Sequence, residues 1–299
     1  MRFIPTMLLA LLVASAPALA RAAGEHEPRI RSQAALVLDQ GSGEILLGKN
    51  AQSTLPIASL TKLMTAIVIL DAELDANELV PVTQADVDRL RRSHSRLKVG
   101  TVLTRDELLH LALMASENRA ASALANSYPG GRDAFVLAMN LKAQLLGMSG
   151  TRFDDPTGLS GRNLSTAKDL AKLVDAAHAY PKIREYSTST SYQVRVGRRS
   201  MRFGNTNRLT RNSRWDIGLS KTGYIAEAGR CLAMQMTLAG RSVIIVLLDS
   251  WGKYTRVADA VRIRQWLELV AGRPGIRQSV RFRQSVPSVG QVGAVSIGG

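Results

Sequence analysis

Strand-like segments stand at both ends of this 299-residue chain, and an almost uninterrupted run of helix-like segments lies between them. Near the start, Ala34-Ala35-Leu36-Val37-Leu38-Asp39 and Glu44-Ile45-Leu46-Leu47 flank Gln40-Gly41-Ser42-Gly43, which reads as a β-hairpin. From about residue 187 onward, Ser191–Val196, Ile217–Tyr224, Cys231–Ala239 and Ser242–Leu248 read as further strands with short glycine-containing turns. Tyr254–Val270 follows as an amphipathic helix carrying Trp266. Short turns between consecutive strands favour antiparallel pairing. The pattern therefore predicts a mixed α/β (α+β) fold: an antiparallel sheet with flanking helices and an inserted all-helical subdomain.

The helical middle carries its own punctuation. Leu60–Leu70 is almost wholly apolar and reads as a buried helix. Thr104-Arg105-Asp106-Glu107 is a capping box ahead of another apolar helix, and an alanine-rich helix follows a polar break at Ser116-Glu117-Asn118. Asp133–Leu146 stops at Gly147, and a further helix opens at Thr166 and runs to about Ala179 before Pro181.

Residues 1–23 belong to targeting. Arg2 precedes the apolar stretch Met7–Ala16, and Ala18-Leu19-Ala20 fits a cleavage site, so a signal peptide and a periplasmic protein without a transmembrane segment are expected. The globular part should span about residues 30–272, followed by a basic, flexible tail over 273–299 with Arg273, Arg277, Arg281 and Arg283. The net charge of +15 raises the question of nucleic acid, but export and the lack of any zinc-finger or RNP pattern exclude it as a partner. Peripheral contact with cell wall or membrane and a plain solvated basic face both fit the charge. The four histidines are never at metal-ligand spacing, so no metal and no cofactor are expected, and the single cysteine, Cys231, allows no internal disulfide.

The chemistry rests on three short motifs. Ser59-Leu60-Thr61-Lys62 opens the apolar helix, and residues three apart share a helix face, so the amine can reach the hydroxyl. A serine needs a base, and a lysine serves as one once burial lowers its proton affinity. Alone this is a weak signal, since S-x-x-K also starts at Ser95, Ser165 and Ser250. Ser116-Glu117-Asn118, however, is the chain's single S-x-N, and Lys221-Thr222-Gly223 its single K-T-G, on a predicted strand. S-x-x-K, S-x-N and K-T-G in this order are the serine-acylation set of β-lactamases and penicillin-binding proteins.

With Pro56–Ala66, Ala115–Ala121, Phe153–Ser160 and Ser220–Tyr224, the chain resembles the low-molecular-mass penicillin-binding proteins, the D-alanyl-D-alanine serine peptidases. The resemblance implies a β-lactamase/transpeptidase-like fold. It also implies Ser59 as acylated nucleophile, Lys62 as its base and Ser116 as proton relay. Asn118, Lys221, Thr222, Gly223 and Tyr224 would bind substrate, with the Ser59 and Tyr224 N–H groups forming the oxyanion hole. The implied partners are peptidoglycan stem peptides and cross-bridges, and β-lactams as covalent inhibitors. Too few residues follow Gly272 for the second domain and anchor of the carboxypeptidase type, which favours a soluble D,D-endopeptidase cutting D-alanyl cross-bridges. A D-alanyl-D-alanine carboxypeptidase and a non-catalytic penicillin-sensing or wall-binding protein are the alternatives. A class A β-lactamase needs a deacylating glutamate. Between Ser116 and Lys221 the only glutamates are Glu117 and Glu185, neither in an E-x-x-L-N context.

Overall fold

The computed structural model describes residues 27–271; the expected signal peptide (1–23) and basic tail (273–299) lie outside them. Five strands make the main sheet: β1 (Ala34–Asp39), β2 (Ile45–Lys49), β3 (Asp216–Ile225), β4 (Gly229–Leu238) and β5 (Arg241–Ser250). Their spatial order is β2-β1-β5-β4-β3, with every neighbouring pair antiparallel. The N-terminal hairpin thus closes onto the last strand, Ala34 opposite Leu248 and Asp39 opposite Val243. This arrangement leaves β3, the strand bearing Lys221-Thr222-Gly223, at the sheet edge.

Alternation along the strands divides the core between the two faces of the sheet. Ala35, Val37, Leu232, Met234 and Ile245 pack with Ile263 and Trp266 of the C-terminal helix. Leu36, Ala233, Ile244 and Val246 face the helical layer instead. Val243 to Leu248 of β5 is buried on both faces, which is why that strand reads as a continuous apolar run. Cys231 is buried on β4, and burial pushes its thiol up to about 12, so it packs as a small hydrophobe.

Seven helices accompany the sheet among the described residues: α1 (Lys62–Asp71), α2 (Arg105–Met114), α3 (Asn118–Asn126), α4 (Gly131–Leu145), α5 (Ala167–His178), α6 (Pro181–Thr188) and α7 (Thr255–Ala271). Lys62 through Ile69 of α1 are all buried, so this helix forms the centre of the helical layer. Two start signals act as read: Thr104 caps α2 through a reciprocal bond with Glu107, and the Thr166 hydroxyl accepts from Asp169 N at 3.0 Å.

Three local features differ from the reading of the sequence. Helix α1 begins at Lys62, because Ala58–Thr61 form a 3₁₀ turn that carries Ser59. Pro181 occupies the first turn of α6 and so starts a helix as well as ending the one before it. Ser191–Val196 pairs with Arg199–Gly204 in a hairpin of its own, separate from the main sheet. The solvent-facing arginines of that second strand conceal its alternation.

Candidate active site

The fold brings the three motifs together at the junction of the edge strand and the helical layer. Ser59 sits on the 3₁₀ turn, half-buried, and Ala58 before it holds a left-handed φ of +48°, a strained choice for a residue with a Cβ. One turn on, Lys62 is fully buried, and its Nζ has three oxygen neighbours. These are Ser59 Oγ at 2.9 Å, Asn118 Oδ1 at 2.8 Å and the Thr157 carbonyl at 2.6 Å. Asn118 is the first residue of α3, and its Nδ2 donates to Ser93 Oγ at 3.1 Å.

From the other side comes β3. Lys221, also buried, donates to Ser116 Oγ at 2.7 Å and to the Thr222 carbonyl at 2.9 Å. Ser116 lies in the break between α2 and α3 with φ +58°, and the Thr222 hydroxyl donates to Thr206 Oγ1 at 2.7 Å. Gly223 lies against the turn: a Cβ on it would come within 3.1 Å of Ser59 N. Tyr224 differs from the others. Its ring is 58% exposed, carries the Arg230 guanidinium at 4.6 Å, and hydrogen-bonds none of these residues among the described ones.

Burial dominates the electrostatics. It lowers the Lys62 amine to about 8, against the opposing pull of the Asp155 and Glu117 carboxylates. Burial also pulls Lys221 well below the ordinary lysine range, helped by the positive charges of Lys62 and Arg256. Both amines are desolvated, and the charge of Lys62 makes the Lys221 proton less stable. A neutral amine 2.9 Å from a hydroxyl can take its proton, and a second amine on a second hydroxyl can return one.

Several residues the motifs do not announce hold this arrangement. The Thr157 carbonyl, the closest neighbour of Lys62, is presented by a loop wound around the Asp155 carboxylate. That carboxylate accepts the N–H groups of Thr157, Gly158 and Ser160 at 2.6, 2.9 and 2.7 Å. Asn163 fixes the same loop to the Ser59 turn, since its Nδ2 donates to Thr61 Oγ1 at 2.9 Å. Asp-x-Thr-Gly is an Asx-turn pattern, and it is the one local signal for this loop in the sequence. Glu117 caps α3 by accepting from Ala120 N at 3.0 Å and also bonds Ser95 Oγ. Arg256 of α7 donates to the Gly223 and Cys231 carbonyls at 2.9 and 3.0 Å, bracing β3 from behind.

Gly158 makes the tightest approach. Its φ is +81°, and a Cβ there would sit 2.0 Å from the Ala58 carbonyl oxygen. Gly158→Ala is therefore expected to lower stability by about 3 kcal/mol through strain and overpacking, read by urea unfolding, and to displace Ser59. Unchanged unfolding would show that the two turns are not in firm contact. A cavity of about 410 Å³ opens beside Asn118 and Thr157 and is lined by none of Ser59, Lys62, Ser116 and Lys221.

The family of D-alanyl-D-alanine carboxypeptidases, peptidase family S11, matches residues 21–252. The chain is 46% identical to a D-alanyl-D-alanine endopeptidase of Pseudomonas aeruginosa, over 93% of this chain and 92% of that one. It is 42% identical to a D-alanyl-D-alanine endopeptidase of Escherichia coli, over 83% and 81%. Among solved structures, it resembles the Streptomyces K15 DD-transpeptidase with a TM-score of 0.75 and 30% identity, over 80% of this chain and 98% of that one. With its serine–lysine pair, its S-x-N break and its K-T-G edge strand in one pocket, the chain belongs to the S11 family of serine D-alanyl-D-alanine peptidases.

Proposed function

We propose that the protein is a periplasmic serine D,D-endopeptidase that hydrolyses D-alanyl cross-bridges of peptidoglycan through an acyl-enzyme on Ser59. The observation that carries the chemistry is the Lys62 amine, fully buried and 2.9 Å from Ser59 Oγ. Neutral Lys62 takes the Ser59 proton as Oγ attacks the D-alanyl carbonyl. The Ser59 and Tyr224 backbone N–H groups face the oxygen that becomes negative. The C–N bond then breaks as the proton taken by Lys62 passes through Ser116, which Lys221 holds at 2.7 Å, to the leaving amine, and Lys62 is neutral again. Water attacks the ester, and its proton returns by way of Lys62, restoring the serine.

Substrate binding follows the same frame. The peptide adds to the exposed edge of β3, where Gly223 keeps the path to Ser59 clear. Asn118 holds Lys62 and the substrate amide, while Lys221 and Thr222 take the carboxylate next to the leaving amine. A β-lactam, which imitates the D-alanyl-D-alanine end, acylates the same oxygen. Export rests on the signal-peptide features of residues 1–23. No helix among the described residues is long and apolar enough to cross a membrane. The preference for an internal bond is supported by the two relatives named endopeptidase, at 46% and 42% identity.

The test supplies the mature protein with a cross-linked muropeptide dimer and a pentapeptide monomer and follows both by chromatography. Conversion of dimer to monomers is expected. Release of free D-alanine from the pentapeptide with the dimer untouched would make the protein a carboxypeptidase and overturn the proposal. Penicillin binding with neither substrate cut would leave a sensor.

A further inference from the structure

The cavity beside Asn118 has an address in the reaction. Along β3, Lys221 and Thr222 come before Gly223, which lies against Ser59, and the turn that follows the strand carries Glu227 on the cavity wall. If the leaving-group carboxylate lies toward Lys221, the acyl-donor peptide runs the other way, into the cavity. This argument rests on the function proposed above.

The wall of the cavity holds four arginines, and they are not equivalent. Arg91 is tied to Glu227 at 2.8 Å, and Arg162 to Asp154 at 3.0 Å. Arg89 is exposed. Arg132 is half-buried, has no carboxylate within 4.0 Å among the described residues, and reaches only Ser122 Oγ, at 3.4 Å. The nearby Asp86 carboxylate is already taken up by Asn126 at 2.6 Å and by Thr83 N at 2.7 Å. A guanidinium partly withdrawn from water without an anion is an anion site awaiting one, because its planar fork matches a carboxylate.

The spacing says which carboxylate. Asn118, which touches Lys62, and Ser122, which touches Arg132, are four residues apart on α3, a rise of about 6 Å. An extended peptide advances about 3.3–3.6 Å per residue. Arg132 is therefore reached about two residues upstream of the D-alanyl carbonyl. We infer that Arg132 anchors a free carboxylate on the donor stem peptide, carried by its second or third residue, and so selects acidic over amidated stems.

The experiment measures cleavage of three muropeptide dimers: one unmodified, one amidated at the second-residue carboxyl and one amidated at the third. Arg132→Ala is expected to lower kcat/KM on the unmodified dimer about tenfold or more, mainly through KM, as loss of one charge-assisted contact does. Arg132→Lys should recover part of that loss. On one of the amidated dimers the wild type should fall to the level of Arg132→Ala, and the substitution should cost nothing further, which identifies the carboxylate. No loss, an equal loss on all three dimers, or an equal slowing of benzylpenicillin acylation would overturn the inference. If dimers are not cut but pentapeptides release D-alanine, the endopeptidase reading fails, and the same three-way comparison with pentapeptides decides the role of Arg132.

Discussion

Ser59→Ala is expected to abolish turnover of cross-linked dimers, by about 10⁴-fold or more, because among the described residues no second hydroxyl has the same access to a buried amine and an open cleft. Ser116 Oγ is 2.7 Å from Lys221, yet it sits in the helix break rather than on the turn facing β3, so it cannot take over the attack. The loss should be chemical and not structural. The Ser59 hydroxyl makes one bond to Lys62 at 2.9 Å and one weak contact to Thr157 O at 3.4 Å. Its removal should therefore change folding stability by about 1 kcal/mol or less. Urea unfolding beside a dimer-cleavage assay separates the two effects, and residual turnover within tenfold of wild type would exclude Ser59 as nucleophile.

The second large effect belongs to Lys62, and it has a pH signature. With its amine near 8, the neutral form is a minor fraction at pH 7 and grows as pH rises, so kcat/KM for acylation should climb between about pH 7 and 9. Lys62→Met should lower acylation by about 10³-fold and flatten that limb. The same shift is a stability statement. The unfolded lysine holds its proton up to about 10.5 and the folded one only to about 8. Between those values the unfolded chain binds more protons, so folding stability rises with pH across that window, while below it the full cost of burial is present. Stability of the wild type relative to Lys62→Met should therefore improve by about 3 kcal/mol from pH 8 to 10.5. Burial, the largest cause of the Lys221 shift, is present in both proteins, so most of the Lys221 contribution drops out of the comparison. A pH-independent difference would mean that Lys62 keeps its proton in the fold as firmly as in the unfolded chain, so that burial does not depress it.

Much of this site is written in local sequence, and the reason is geometric. Ser59 and Lys62 are one helical turn apart, so their spacing alone predicts contact. The strand under Lys221-Thr222-Gly223 reads clearly because Leu219 and Ile225 are buried and the turn to β4 is short. What local sequence cannot show is contact made through the backbone across the fold. The Thr157 carbonyl meets Lys62 from 95 positions away, with no side-chain signature of its own. Arg256 braces β3 from a helix that reads simply as amphipathic, and Ser93 looks like one polar residue in a basic stretch. Tyr224 is the opposite case: the motif places it at the site, but the structure leaves its ring in solvent. The strand Arg199–Gly204 gives no clear strand signal because four of its six residues face water, two of them arginines.

The central claim is that one oxygen, Ser59 Oγ, forms the covalent intermediate. Peptide mapping by mass spectrometry tests it most directly, after brief exposure of the mature protein to benzylpenicillin. A single penicilloyl adduct on the peptide carrying Ser59, lost in Ser59→Ala and slowed in Lys62→Met, is the predicted result. An adduct on Ser116 or another serine, or one that survives Ser59→Ala, would contradict the account.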